Sequence, residues 1–377
     1  MILYAALMAL AGSFFIAVMA TPLAGKVAAY FGMIDVPQRH KAHAGPTPLL
    51  GGSAIFAALL GPSLLALALA RVWGTNWPES VPFWVPASLA AHIPGAAAKA
   101  PMAVVILLGA CLLHVLGLID DRRALGPWLK LIAQIVIAAG VVVFSGLADP
   151  MPERHGVRIM TIAGPTLSTI ASILWLVAIT NAFNFMDNMD GLCAGVAAIC
   201  AAALLGASAG VGQIFVSGWL CLLVGSLAGF LAYNFPPAKI FMGDAGSLVI
   251  GYMLAVLSCL TTYVPAGAPP GRAMFDVCMP LVLMALPLYD MVSVLVIRLR
   301  ERRNPMIGDR RHFSHRLLRR GMSVRAAVLT IYLCTLATAV AASLLPHVDT
   351  IGAILVLLQA AAILAVFALL ETGGGKA

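Results

Sequence analysis

The feature that most restricts this chain is the recurrence of apolar runs about 20 residues long, the length that crosses a bilayer as a helix. Eleven such runs lie at roughly 2–22, 49–70, 101–119, 128–148, 163–181, 191–209, 213–233, 246–264, 276–297, 325–345 and 350–370. Runs of this length fit either a lipid bilayer or the core of a very large soluble protein. With 62% hydrophobic and only 10% charged residues in 377, the second is excluded, because a soluble domain carries about a quarter charged residues. Inside lipid every backbone polar group must be paired within its own segment, so each run is expected to be helical. The expected fold is an all-α polytopic membrane protein of about 11 transmembrane helices, forming a single integral-membrane domain over 1–377. The first basic residue is Lys26, too late for the basic start of a signal peptide, so residues 1–22 read as a retained span. The seven cysteines all lie in or beside apolar runs and read as small buried hydrophobes with no disulfide.

Charge sets the orientation. Counting loops between runs, 18 of the 23 basic residues fall on one side and five on the other. Basic loops stay in the cytoplasm, which puts the N-terminus outside and the C-terminus inside. The polar clusters then gather on the cytoplasmic side, in loops at about 23–48, 120–130, 181–191, 234–247 and 298–325.

Each loop read alone has a bland reading. Residues 34–52 (IDVPQRHKAHAGPTPLLGG) hold three prolines and three glycines, which keep them out of a helix. Arg39, His40, Lys41 and His43 fit an ordinary topogenic loop, and the closing Gly51-Gly52 leaves a helix start where an anion could sit. Asp120 and Asp121 end the third run. Adjacent carboxylates cannot share a helix face, so they suit a helix end, one toward a cation and one toward a basic group, or a plain solvated turn. Lys130 near the start of the next run needs a partner. In NAFNFMDNMDG, residues 181–191, a spacing of three puts Asn181, Asn184, Asp187 and Asp190 on one helical stripe. Asp244, in GDAGS, fits a helix N-cap and a metal ligand equally. From Arg298 to Arg325 ten arginines face Glu301 and Asp309, a net +8 that suits anionic lipid. Within it His312, His315 and Arg316 recur at helical spacing and are expected on one face. Nucleic acid is a poor partner, because no aromatic side chains interleave with the charge.

Together the parts say more. Carboxylates from three loops, Asp120, Asp121, Asp187, Asp190 and Asp244, oppose a strongly basic loop on one side of one membrane. Carboxylates for a divalent cation plus arginines and histidines for phosphates are the equipment of phosphoryl transfer. An ion-coupled transporter instead needs charges near span centres. Only Asp290 lies there.

The motifs GLIDD, NAFNFMDNMDGL, FMGDAGS and DRRHFSHRLLRRG resemble those of the polyprenyl-phosphate N-acetylhexosamine-1-phosphate transferases, glycosyltransferase family 4, along nearly the whole chain. The eleven-run count and the HRLL sequence resemble its WecA/TarO-like branch. The resemblance implies an enzyme of the bacterial inner (plasma) membrane with a cytoplasmic active site. It would move N-acetylglucosamine-1-phosphate from a UDP-sugar to undecaprenyl phosphate, release UMP, and initiate a cell-envelope polysaccharide. The same chemistry with another UDP-N-acetylhexosamine is the alternative. Mg²⁺ is the implied cofactor, with Mn²⁺ as substitute. Membrane lipids are partners, and monomer and homodimer are both open. Residue by residue, the resemblance makes Asp120, Asp121 and Asp187 catalytic. Asn184, Asp190, His312, His315 and Arg316 would bind substrate, and Asp244 and Asp187 the metal; Asn181 and Lys130, from their own places beside these, are expected to bind substrate too. One position departs: Ser314 stands third in the family's usual His-x-His-His, where a histidine is expected to be tolerated.

Overall fold

The computed structural model describes residues 2–35, 45–75, 77–83, 85–148, 156–157, 164–261, 263, 278–302, 304 and 311–372, the last three by backbone alone. Arg39 to His43 and Asp309 lie outside them. Long helices dominate: α1 (Ile2–Tyr30), α2 (Gly51–Thr75), α4 (Ile93–Arg122), α5 (Pro127–Ala148), α6 (Pro165–Met186), α7 (Leu192–Gly210) and α8 (Ile214–Asn234). A short α3 (Ala87–Ala90) precedes α4. Then come α9 (Asp244–Leu260), α10 (Met279–Leu283), α11 (Ala285–Arg300), α12 (Phe313–Arg319), α13 (Val324–Leu344) and α14 (Thr350–Thr372).

Among the described residues nine helices are long and apolar enough to cross a membrane. The other two expected runs fall on α9, 17 residues long, and on the pair α10 and α11. That pair is one apolar run broken after Leu283. Pro287 lacks an N–H and its ring would strike the carbonyl four residues back, which is that of Leu283. Large apolar side chains such as Phe15, Met19, Leu355 and Leu358 stay exposed on the outer helices, as lipid-facing positions require. All seven cysteines are free thiols, but only Cys193, Cys200 and Cys221 are buried as expected, the other four being partly exposed.

The core is built round α9. Fourteen of its 17 residues are buried, because its sequence is apolar on every face and α2, α4 and α6 close over it. Glycines permit the close approach. A Cβ on Gly52 would run into the backbone of Gly246, and one on Gly117 would lie 2.5 Å from the Asp244 carbonyl carbon.

Before α2 the chain forms a two-residue hairpin, β1 (Ile34–Asp35) against β2 (Thr47–Pro48), antiparallel with Ile34 opposite Pro48. At 34–35 and 45–50, the described part of this loop, the chain is non-helical as expected, while Gly51 and Gly52 already open α2. The anion site expected at its end does not hold. The Gly51 and Gly52 amides donate to the carbonyls of Phe241 and Met242 at 2.9 and 2.8 Å. Those carbonyls come from the loop leading into α9, so the two glycines bind backbone to backbone.

Candidate active site

Ends of α4 and α6 and starts of α5 and α9 meet at one end of the bundle. Asp120 and Asp121, in the last turn of α4, point apart as adjacent helical residues must. Asp120 accepts from Leu125 N at 2.6 Å and from Lys130 Nζ at 3.1 Å, which fixes the turn between α4 and α5. Asp121 accepts from Asp244 N at 2.7 Å and Ala245 N at 3.0 Å. It therefore caps α9 from another helix, satisfying amides that a helix start leaves orphaned.

That settles what Asp244 is not. The N-cap position belongs to Gly243, at φ +72°, where a Cβ would lie 2.5 Å from Asp121 Oδ2. The Asp244 carboxylate, released from capping, accepts from Asn184 Nδ2 at 2.8 Å and forms an ion pair with Lys130. Asn184 Nδ2 also donates to Ser247 Oγ at 2.9 Å. Its carbonyl oxygen accepts from Lys130 Nζ at 3.3 Å. The Lys130 ammonium thus meets Asp120, Asp244 and Asn184 together.

The helical stripe through Asp190 is corrected. α6 stops at Met186 and Asp187 is its C-cap, at φ −80°, ψ 49°. Asp187, Asn188 and Asp190 are of types whose side chains favour turns. The turn closes on Gly191 at φ +71°. Its two carboxylates diverge. Asp187 accepts from the Gly243 amide beside Asp121 and Asp244. Burial first, then the charges of Asp244, Asp121 and Asp190, hold its carboxyl well above the ordinary carboxylate range. Asp190 instead accepts from Ala238 N at 2.9 Å and pins the loop before α9. Asn181, one turn earlier, donates to Gln134 Oε1 at 2.5 Å and to Val177 O, outside the carboxylate group.

The single face through His312, His315 and Arg316 is met in part, for His312 and Arg316 both reach α11, at Asp290 and Ser293. α12 begins at Phe313, and His312 is its extended N-cap, with Nδ1 2.8 Å from Asp290 Oδ2. Phe313 N donates to the other Asp290 oxygen at 2.7 Å. A carboxylate buried within an apolar helix must have partners, and that need holds the His312 side chain against α11. His315 and Arg316 are partly exposed on α12, where Arg316 Nη2 donates to Ser293 Oγ at 2.8 Å. Ser314 is buried and donates to Asn188 Oδ1, joining α12 to the turn after Asp187.

Three supporting residues escaped the sequence reading. Asn234 accepts from Gly191 N at 3.0 Å and donates to Ile240 O at 2.8 Å. Tyr332 Oη, on α13, donates to Gly191 O at 2.5 Å. His114 Nδ1 lies 3.0 Å from Ala245 O and its Nε2 3.3 Å from Ser53 Oγ. For His114 a signal existed, an ionisable side chain inside an apolar run. Asn234 opens the polar stretch 234–247 but was given no role, and for Tyr332 no signal existed, because only the folded turn brings it to Gly191.

Among the described residues no three His, Cys, Asp or Glu side chains group closely enough to hold a metal by themselves. Mg²⁺ asks for less. It keeps several waters and takes one or two carboxylates together with substrate phosphates. Asp187, on the Gly243 amide, and Asp244, the next residue along and paired with Lys130, have the right donor chemistry.

Fold and site together define a class: a polytopic helical membrane protein with a carboxylate-rich site, crossed by one lysine, at one end of its bundle. Residues 103–262, from within α4 to just past α9, match the model of glycosyl transferase family 4. The chain is 30% identical over 319 residues to a probable undecaprenyl-phosphate N-acetylglucosaminyl 1-phosphate transferase of Bacillus subtilis, covering 83% of this chain and 77% of that one. It is 35% identical over 322 residues to a decaprenyl-phosphate N-acetylglucosaminephosphotransferase of Mycolicibacterium smegmatis, with 80% and 73% covered. An undecaprenyl-phosphate alpha-N-acetylglucosaminyl 1-phosphate transferase of Yersinia pestis is 27% identical over 352 residues, with 92% and 84% covered. The chain belongs to glycosyl transferase family 4, the membrane-embedded sugar-phosphate transferases.

Proposed function

We propose that this protein transfers N-acetylglucosamine-1-phosphate from UDP-N-acetylglucosamine to undecaprenyl phosphate and releases UMP. An oxygen of the lipid phosphate bonds to the sugar-linked phosphorus. The bond from that phosphorus to the bridging oxygen breaks, and its electron pair leaves with UMP. The observation that carries the reading is the meeting of Asp120, Lys130, Asn184 and Asp244 beside Asp187, all inside the stretch that matches the family. The names of the relatives supply the sugar and the polyprenyl acceptor.

The reaction joins two polyanions, so charge must be offset before the phosphate can attack. Asp187 and Asp244 would hold Mg²⁺, with Mn²⁺ as substitute, and the ion would neutralise the diphosphate and polarise its oxygens. Asp121 has both oxygens on the first amides of α9. It positions Asp244. Asp120 and Asn184 orient the Lys130 ammonium, which holds substrate phosphate. Arg316 and His315, on the basic segment over the site, hold diphosphate charge that the cation leaves. His312, tied to Asp290, positions that segment. Asp190 and Asn181 position rather than touch substrate.

The same reading gives eleven crossings, the N-terminus outside, the active site and C-terminus in the cytoplasm, and the bacterial inner membrane as location. One integral-membrane domain, 1–377, carries the site on its cytoplasmic loops. The test is purified protein with undecaprenyl phosphate, Mg²⁺ and a panel of UDP-sugars. UMP should appear only with both lipid phosphate and divalent cation, and fastest with UDP-N-acetylglucosamine. Uptake of a solute down an ion gradient without UMP release would reject the reading.

A further inference from the structure

An ammonium has three N–H donors and no more. Those of Lys130 face Asp244, Asp120 at 3.1 Å and Asn184 at 3.3 Å. Its side chain is only 15% exposed. Thus arranged, Lys130 has no donor left for a phosphate. Yet its charge acts on Asp120, Asp121 and Asp244, carboxylates that would otherwise repel one another, with Asp187 beside the last two. Asp244 is the shared element, since one of its oxygens receives Lys130 and the other Asn184. A lysine fastened in this way is either a fixed structural pin or a cation that must be exchanged before substrate binds.

We propose that Lys130 is a built-in counter-cation. It holds Asp244 while the site is empty, yields that carboxylate when a divalent ion arrives, and only then turns its ammonium to a substrate phosphate. The inference rests on the reading of Asp244 as a metal ligand. Geometry favours exchange over a fixed pin. The Lys130 stem is a flexible four-carbon chain, and Asp120 and Asn184 remain as partners at the start of its new path. Asp244 itself does not move, because Asp121 holds its amide and Asn184 its carboxylate. Occupation is therefore ordered. The divalent ion precedes the phosphate that Lys130 receives, and the enzyme is protected from binding lipid phosphate in a charge-unbalanced state.

The experiment is Mn²⁺ binding to detergent-solubilised protein, followed by electron paramagnetic resonance with no substrate present. Lys130→Met removes the competitor, so Mn²⁺ should bind about tenfold more tightly than to the wild type, the size of one charge-assisted contact taken out of competition. Turnover should be lost in the same variant. Equal or weaker Mn²⁺ binding by Lys130→Met makes Lys130 a fixed pin and overturns the proposal. A second measurement needs no variant. Acetylation of wild-type Lys130 by acetic anhydride, read by mass spectrometry, should rise when Mn²⁺ is added while that of Lys26 stays constant. An unchanged or lower Lys130 signal overturns the proposal even if Lys130→Met does not fold. If neither protein binds Mn²⁺ while wild type releases UMP without divalent ions, the metal reading of Asp244 falls, and this inference with it. UMP release and Mn²⁺ binding thus fail separately.

Discussion

At Asp187 the arrangement of charge has a measurable consequence for stability. Burial, Asp244, Asp121 and Asp190 lift its carboxyl well above the ordinary 3.8. Between the two values the folded protein keeps a proton that the unfolded chain has released, so stability falls as pH rises through that window. The metal-free protein is expected to unfold at a lower temperature near neutral pH than in mild acid. Asp187→Asn should flatten that slope, and Mg²⁺ should raise the neutral-pH value by binding the folded state alone. Thermal unfolding in detergent reads all three. A slope unchanged in Asp187→Asn would assign it to other groups. Asp244→Asn separates chemistry from capping. Gly243 and Asp121 already serve the helix start, so this variant should fold with a melting temperature near wild type and nearly lose UMP release. Wild-type turnover in Asp244→Asn would remove Asp244 from the site.

At the scale of elements, periodicity located the helices and missed their ends. Apolar runs are long and redundant, so α1, α2, α4 to α9, α13, α14 and the pair α10 and α11 taken as one were legible, whereas the short α3 and α12 belong to no such run. The end of α6 at Met186 and the start of α12 at Phe313 depend on a turn-forming Asp-Asn pair and on the Asp290–His312 contact, and neither has a repeating pattern. Packing between elements was hidden as well, since a glycine's near neighbour comes from a distant part of the chain. Gly52→Ala pushes a methyl into the Gly246 backbone and is expected to cost about 1–3 kcal/mol or block folding. Gly140→Ala, in α5 with nothing within 4 Å, should be neutral or slightly stabilising. Equal melting temperatures for the two would deny the close approach of α2 to α9. The docking of α12 carries a similar expectation. Ser314 is 1% exposed, so the histidine that sequence comparison invites does not fit. Ser314→His should lose most turnover and several degrees of melting temperature. Ser314→Ala should lose about 1–3 kcal/mol at most, the cost of leaving Asn188 Oδ1 without its donor.

For the whole molecule, the residues that sequence singled out divide by what could be read locally. Asp120, Asp121, Lys130, Asn184, Asp187 and Asp244 meet in space although they come from three loops, because each stands at a run end on the side where basic residues concentrate. Which of them would touch each other was not legible: Asp121 on α9 and Lys130 on Asp244 are contacts between segments more than 100 residues apart. The orientation of the whole rests on the same asymmetry. With eleven crossings, eighteen of the 23 basic residues would fall on the side of the candidate site, and moving them across a membrane against its potential is what the positive-inside rule forbids. Single cysteines test this in a background without the seven native ones. Arg302, exposed at the end of α11, lies on the site side, and Thr166, exposed at the start of α6, lies at the other end of its helix. In intact cells a membrane-impermeant maleimide should label Thr166→Cys and spare Arg302→Cys. Permeabilised cells should label both. The reverse pattern in intact cells would turn the molecule over, placing the carboxylate site outside, away from any cytoplasmic nucleotide sugar, and would reject the proposed reaction together with the topology.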